Sequence, residues 1–377
     1  MTLEVDKLQI SYRTLRGDVR AVDGVSFAVD DGEIMGLAGE SGCGKSTLGN
    51  SLVYLEGRMK HAGGTVRLDG EVLPISDQRA MGRYRLKRVS IIPQYAMSAL
   101  NPTRKVGRMT AELLKSRGVR YDSVEEELKR RIDLVGLPQG VLGMYPFELS
   151  GGMRQRATMV ISTLLDPSLL VADEVTSALD VSTQRAVGEM LMEFRDERFV
   201  KTIIVITHDL SILAQVADTI TVMYAGKLVE KAPAATVVGE PLHPYTQALL
   251  ASLPEVGVRY EDAPLAGIPG RPPSLLHPPA GCRFGARCPF AFEKCSQDPP
   301  FMELRPGHEV ACWKAVRDIG GTSVLAEADQ PGTEGPAGPG AGSEVPAVPR
   351  PGAQLAAPTS AVSPGPGEWT GQGTGQP

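Results

Sequence analysis

The sequence has no run of 18 or more apolar residues, so it offers no segment long enough to cross a bilayer as a helix. Its most apolar stretches, such as KTIIVIT at 201–207, are strand-length. The first residues, MTLEVDKLQI, lack the basic-then-apolar pattern of a secretory leader. A cytoplasmic protein is expected. Cysteine is scarce, five in 377 residues, and thiols in that compartment stay reduced, which argues against a disulfide framework. A basic excess is also missing. There are 39 basic and 44 acidic residues, a net charge of −5, so general nucleic-acid binding is not expected. The 42 glycines show no three-residue period, which excludes a collagen. Hydrophobic residues make up 42% of the chain, enough for a true core, so wholesale disorder is excluded as well. The length suits two domains, or one large domain with appendages.

Glycine and proline together make up 72 residues, about 19% against an average near 12%. Much of that excess sits at the end. Residues 320–377 hold 13 Gly and 10 Pro. From Asp318 onward there are six acidic residues and one basic, Arg350. Residues 1–317 therefore carry 38 charges of each sign. The region 318–377 lacks apolar periodicity and is expected to be disordered. Trp369 is its one large aromatic, with a short docking motif there as the lesser alternative.

Upstream, short apolar runs alternate with helical patterns. Strands are expected at 5–12, 25–29, 33–39, 89–94, 169–173, 202–207 and 219–226. Helices are expected after Ser46 and at 108–118, 123–137, 151–165 and 180–198. Ser123, three residues before Glu126, reads as a capping box. Strands alternating with helices predict an α/β fold with a mainly parallel sheet. The block from about 100 to 160 has no strand pattern and reads as an inserted helical subdomain. The basic run RYRLKR (83–88) reads as a solvated face, and GIPGRPPSLLHPP (267–279) as an extended linker.

Three segments carry chemistry. The first is GESGCGKST, Gly39, Glu40, Ser41, Gly42, Cys43, Gly44, Lys45, Ser46 and Thr47. It fits GxxxxGK[ST] between a strand and a helix, the setting of a phosphate-binding loop. Its glycines let successive N–H groups curl around phosphates, and the helix N-terminus adds positive character. Lys45 would reach the β- and γ-phosphates, and Ser46 would ligate Mg²⁺. The second is LLVADE (169–174), an apolar strand ending in two acids. Asp173 would hold Mg²⁺, and Glu174 would polarise a water as general base. The third is LSGGMRQR (149–156), where Ser150, Gly151, Gly152 and Met153 open a helix and make a second anion cradle. One nucleotide site does not need two cradles. A sandwich of two such domains does.

Taken together, these residues resemble the nucleotide-binding subunits of ATP-binding cassette (ABC) transporters over residues 3–255. Walker A is Gly39–Thr47, the Q-loop glutamine is Gln94, the signature is LSGGM (149–153), and Walker B is LLVAD followed by Glu174. The D-loop is SALD (177–180), the switch histidine is His208, and Tyr12 matches the aromatic that stacks on adenine. The resemblance implies a P-loop NTPase fold: a RecA-like core, an antiparallel β subdomain and a helical insert. It implies ATP and Mg²⁺ as ligands, with Glu174, His208, Gln94 and Lys45 as the catalytic set. Met153, Val175 and Tyr95 depart from the usual Gln, Pro and Asp. None of these changes removes a catalytic group.

YPFELSGGMRQR (145–156), SALNPTRKVG (98–107) and HPYTQALLASLP (243–254) look like the oligopeptide/dipeptide branch of importers. That implies two transmembrane permeases, a second ABC ATPase in a heterodimer and an extracytoplasmic substrate-binding protein, with this chain peripheral on the cytoplasmic face of the membrane. Nickel, glutathione or oligosaccharide import are alternatives, as are an efflux ATPase and a soluble non-transport ABC ATPase acting on DNA or the ribosome. The expected organisation is a cassette over 1–255, an extension over 256–317 and a tail over 318–377. Four cysteines, Cys282, Cys288, Cys295 and Cys312, crowd into the extension. They suggest metal, but their gaps of five, six and sixteen residues do not match structural zinc. Four-cysteine ligation suits an iron–sulfur cluster, and some ATPases of this branch carry a [4Fe–4S] cluster at a matching pattern. Zinc and free thiols are the alternatives.

Overall fold

The structure is a computed structural model. It describes residues 2–94, 99–177, 179–252 and 267–319. The expected tail, the departure at Tyr95 and Ala178 of the D-loop lie outside these residues, apart from Asp318 and Ile319 of the tail. The described residues fall within one compact unit, Met1–Asp329.

The chain begins with a long hairpin, β1 (Leu3–Thr14) and β2 (Gly17–Val29). The alternation at 25–29 is thus the second half of a 13-residue strand. Next come β3 (Ile34–Ala38), helix α1 (Lys45–Ser51), β4 (Met59–Leu68), the short β5 (Glu71–Val72) and α2 (Gln78–Met81). After β6 (Val89–Ile92) the chain turns helical, with α3 (Val106–Ser116), α4 (Glu125–Leu134) and α5 (Gly151–Thr163). Then follow β7 (Leu169–Asp173), α6 (Val181–Asp196), β8 (Thr202–Ile206), α7 (Leu210–Val216) and β9 (Thr219–Tyr224). The C-terminal part adds β10 (Lys227–Pro233), α8 (Ala234–Gly239), α9 (Pro244–Ala251), β11 (Met302–Arg305) and β12 (His308–Val310).

Two sheets result. The smaller is antiparallel, in the order β2-β1-β4-β5, and the larger runs β11-β12-β10-β9-β3-β8-β7-β6. From β9 to β6 the larger sheet is parallel. Every residue of β3, β7 and β8 is buried, as parallel strands covered on both faces must be. Their two-residue period splits the core cleanly. Ile34, Leu170, Ala172, Ile203 and Val205 join one apolar cluster, with side chains of α3 to α8. Met35, Leu37, Val171, Ile204 and Ile206 join the other, with Leu48 of α1 and the inner face of the antiparallel sheet. Helix α1 lies so close to the sheet that a Cβ at Gly49 would stand 2.4 Å from Ile206 Cδ1.

The capping box expected at Ser123 does not form. Residues Tyr121–Ser123 make a tight turn, the Ser123 hydroxyl donates back to the Arg120 carbonyl at 2.7 Å, and α4 starts at Glu125 without a side-chain cap. Three glutamates in its first turn offset the exposed N–H groups through the helix dipole. The basic run at 83–88 is partly tied down. Arg85 donates to the Val53 carbonyl at 3.0 Å, and Arg88 pairs with Asp69 at 2.9 Å.

The cysteine-bearing region is stitched to the main sheet. β12 pairs antiparallel with β10, placing Glu230 opposite Val310. Glu230 is fully buried. Its carboxylate accepts from the backbone N–H of Leu242 (2.6 Å) and His243 (3.1 Å), and His308 Nε2 lies 2.7 Å away. An amide in place of the carboxylate would aim N–H groups at N–H groups. Glu230→Gln is expected to cost about 1–3 kcal/mol, read as a lowered midpoint in thermal or urea unfolding. An unchanged midpoint would show that this network does not hold the region in place.

Candidate functional site

The parallel strands deliver the candidate residues to one edge. Leu37 of β3 is level with Ile206 of β8, and Asp173 of β7 is level with the same Ile206. Gly39, Asp173 and Thr207 therefore leave the sheet side by side, at the carboxyl ends of the strands where open α/β folds bind ligands.

The Gly39–Thr47 loop curls tightly against its surroundings. Gly39 and Gly44 have φ of 146° and 110°, and a Cβ there would stand 2.2 Å from the Met223 carbonyl oxygen and 2.1 Å from that of Ala21. No other residue fits either place. Ser41 and Gly42 form the exposed tip, and Cys43 is buried behind it. Burial pushes the Cys43 thiol pKa up, so it fills space as a small apolar group rather than reacting. The Lys45 ammonium donates to the Gly39 carbonyl at 2.7 Å and the Glu40 carbonyl at 3.0 Å, closing the loop on itself. Thr47 Oγ1 lies 3.1 Å from the Tyr12 hydroxyl. That contact brings the ring from the antiparallel sheet to the start of α1.

Ser46 donates to Asp173 Oδ1 at 2.9 Å. Burial, with Glu174 beside it, holds the Asp173 carboxyl above its ordinary pKa. Such a group is one that a cation would stabilise. Mg²⁺ takes one or two protein oxygens and completes its shell with water and phosphate, so the Ser46–Asp173 pair fits it. Glu174 follows in the left-handed region, φ 46°, a strained conformation held by the Glu174 N–H bond to the Ile206 carbonyl at 2.8 Å. The turn aims its carboxylate at three partners. Gln94 Nε2 donates to it at 2.7 Å, the Ser177 hydroxyl donates at 3.1 Å, and His208 Nδ1 stands 3.7 Å away. Gln94, Asp173, Glu174 and His208 come from three different strand ends, and the structure gathers all four beside Lys45 and Ser46.

Ser150 caps α5, accepting from the Met153 N–H at 3.2 Å, with Gly151 and Gly152 in the first turn. Among the described residues no hydrogen bond joins Ser150–Met153 to the Gly39–Thr47 loop of the same chain. The helix is tied instead to the turn after Glu174, through Gln155 donating to the Val175 carbonyl.

Cys282, Cys288 and Cys295 are half-buried, and Cys312 is buried. Burial first, and the neighbouring thiols Cys295, Cys312 and Cys288 second, push Cys282 up to about 11. Cys288 and Cys312 are raised by burial too. Among the described residues, however, no group of three or more His, Cys, Asp or Glu side chains is arranged to hold a metal ion. The expectation of a metal there meets no ready ligand set among the described residues.

Sequence reasoning missed three residues at the site. Ser177 was noted only as part of the D-loop. Arg287 grips Glu40 with both ends of its guanidinium, and the Tyr245 hydroxyl accepts from the Glu40 N–H. These partners are 247 and 205 residues from Glu40, and no local pattern announces such a contact.

The ABC transporter family model matches residues 22–177, and the model for the oligopeptide/dipeptide transporter C-terminal region matches 229–295. The oligopeptide transport ATP-binding protein OppD of Salmonella typhimurium is 39% identical over 320 residues, covering 84% of this chain and 95% of that protein. The dipeptide transport ATP-binding protein DppD of Bacillus subtilis is 39% identical over 317 residues, 82% of this chain and 94% of that one. Among solved structures, cbiO1 of Clostridium perfringens, part of an ABC transporter complex, superposes with a TM-score of 0.55 at 22% identity. That match covers 63% of this chain and 91% of cbiO1, a likeness of fold. With phosphate loop, paired acids and C-terminal region in one chain, the protein belongs to the ABC transporter ATP-binding subunits of the oligopeptide/dipeptide family.

Proposed function

We propose that this chain is the ATP-hydrolysing subunit of an ABC importer that powers uptake of oligopeptides or dipeptides. The observation that carries the ATPase reading is the convergence of Gln94, Ser177 and His208 on the Glu174 carboxylate, beside Lys45 and the Ser46–Asp173 pair. The peptide reading rests on the relatives named above. Lys45 would leave the loop carbonyls for the β- and γ-phosphates. Ser46, Asp173 and Gln94 would hold Mg²⁺, which would supply charge neutralisation at the phosphates. Glu174 would take a proton from the attacking water, with Gln94 and Ser177 fixing its rotamer and His208 positioned toward the γ-phosphate. Tyr12 would stack on the adenine. Catalysis on this plan is mostly positioning and charge stabilisation.

The Ser150–Met153 cradle would act in trans. Two ATPase subunits would close head to tail, each capping the other's nucleotide, and the resemblance favours a heterodimer. Among the described residues no helix is long and apolar enough to cross a membrane. Import would therefore run through separate partners: two permeases and a substrate-binding protein. The chain would sit peripherally on the cytoplasmic face, with the cassette in residues 1–255 and the extension in 256–317.

For the four cysteines we propose a structural [4Fe–4S] cluster. The reading rests on the crowding of four free cysteines, Cys282, Cys288, Cys295 and Cys312, into one region and on the resemblance to ATPases of this branch. Cys₄ ligation is the usual form. No step of ATP hydrolysis passes through it.

Three measurements test these readings. Glu174→Gln should bind Mg·ATP with near-normal affinity while hydrolysis falls by about 10²- to 10⁴-fold. Near-normal turnover would remove Glu174 from the role of base. Deleting the gene should abolish uptake of labelled oligopeptides or dipeptides, and full uptake would overturn the transport assignment. Anaerobically purified protein should be brown, with about four irons per chain. Colourless protein, with zinc or with no metal, would overturn the cluster.

A further inference from the structure

Glu40 is the second residue of the phosphate loop, and all its polar groups are engaged. Its N–H donates to the Tyr245 hydroxyl at 2.7 Å, its carbonyl accepts from Lys45 Nζ at 3.0 Å, and its carboxylate meets Arg287 through two parallel bonds of 2.7 and 2.9 Å. The last contact is unusual in origin. Arg287 lies in the tight turn Gly285–Arg287, directly before Cys288 and far outside the cassette motifs.

The Arg287 side chain is 6% exposed, and the rest of its guanidinium is held from behind. Nε donates to the Pro269 carbonyl at 2.8 Å, Nη2 to the Ile268 carbonyl at 3.0 Å, and Nη1 to the Tyr224 hydroxyl at 3.1 Å. The aromatic wall beside it is rigid, with the Tyr224, Tyr245 and Phe284 rings 4.6–5.4 Å apart. A bidentate Arg–carboxylate pair fixes orientation as well as distance. Here it fixes the residue whose carbonyl receives the Lys45 ammonium.

The charge is equally telling. A carboxylate in a phosphate loop repels a polyphosphate, and such repulsion is strong where water is partly excluded. Neutralised by Arg287, Glu40 becomes tolerable there. We propose that Arg287 is a positioning residue for nucleotide binding. By pinning and neutralising Glu40 it sets the shape and potential of the Gly39–Thr47 loop, so the cysteine-bearing C-terminal region governs the affinity of the ATP site. The proposal rests on the ATPase reading above.

The test is calorimetric titration of the full chain with Mg·ADP, which needs no second subunit. Arg287→Ala should weaken binding about tenfold, a usual size for coupling between two sites. Arg287→Lys, which keeps the charge but loses the fork, should recover part of that loss, and serves if the alanine variant does not fold. In a Glu40→Gln background, where no carboxylate remains to neutralise, Arg287→Ala should change the affinity less than about twofold. A purely structural arginine would lower the melting temperature in both backgrounds without this dependence on Glu40. Affinity within twofold of the unaltered chain in both Arg287 variants overturns the proposal. So does a tenfold loss that persists in the Glu40→Gln background. If the unaltered chain itself fails to bind Mg·ADP, the ATPase reading falls, and this proposal with it.

Discussion

Everything at the candidate site depends on parallel pairing of β3, β7 and β8 in register. These strands are buried on both faces, and their alternate residues are shared between two apolar clusters. A slip of one residue would exchange the clusters and turn every side chain to the wrong face. Register is thus set by the hydrophobic effect over the whole sheet, and the chemistry inherits it. Gly39, Asp173 and His208 lie 134 and 35 positions apart in sequence. They meet because the strands before them end level.

At the sheet edge the structure spends its constraint on one carboxylate. Glu174 holds a backbone conformation that non-glycine residues avoid, at a cost on the order of 1–3 kcal/mol. The bond to Ile206 and the partners Gln94 and Ser177 hold it there. The neighbouring Asp173 has a different environment. It is more deeply buried, accepts from Ser46 and carries a raised pKa. Two adjacent acids are thereby given different surroundings.

The sequence revealed most where function is local. A glycine-rich loop between a strand and a helix, an apolar strand ending in acids, and a serine capping a helix each carry their context within about ten residues. Strands β3, β7 and β8 were legible because both faces are apolar. Strand β4 was not, since Gly63 and Gly64 interrupt its alternation. β11 and β12, of four and three residues, are too short to show a period. The capping box at Ser123 failed because a competing turn took the hydroxyl. The link between Arg287 and Glu40 is set by tertiary packing alone, and the cysteine spacing drew attention to the thiols rather than to the arginine beside them.

The way the large sheet ends has a practical meaning for anyone wishing to shorten this protein. Its antiparallel margin is finished by β12 and β11, and the exposed residues of β11 are the charged Glu303 and Arg305. Charged side chains on an outermost strand discourage pairing with other chains. A chain trimmed to the catalytic motifs alone would lose that border. β10, with its apolar Leu228 and Val229, would become an open strand ready to recruit a neighbour, and Glu230 would lose its His308 partner. The segment that looks like an appendage in the linear sequence is also the hem that keeps the sheet from unravelling into aggregates.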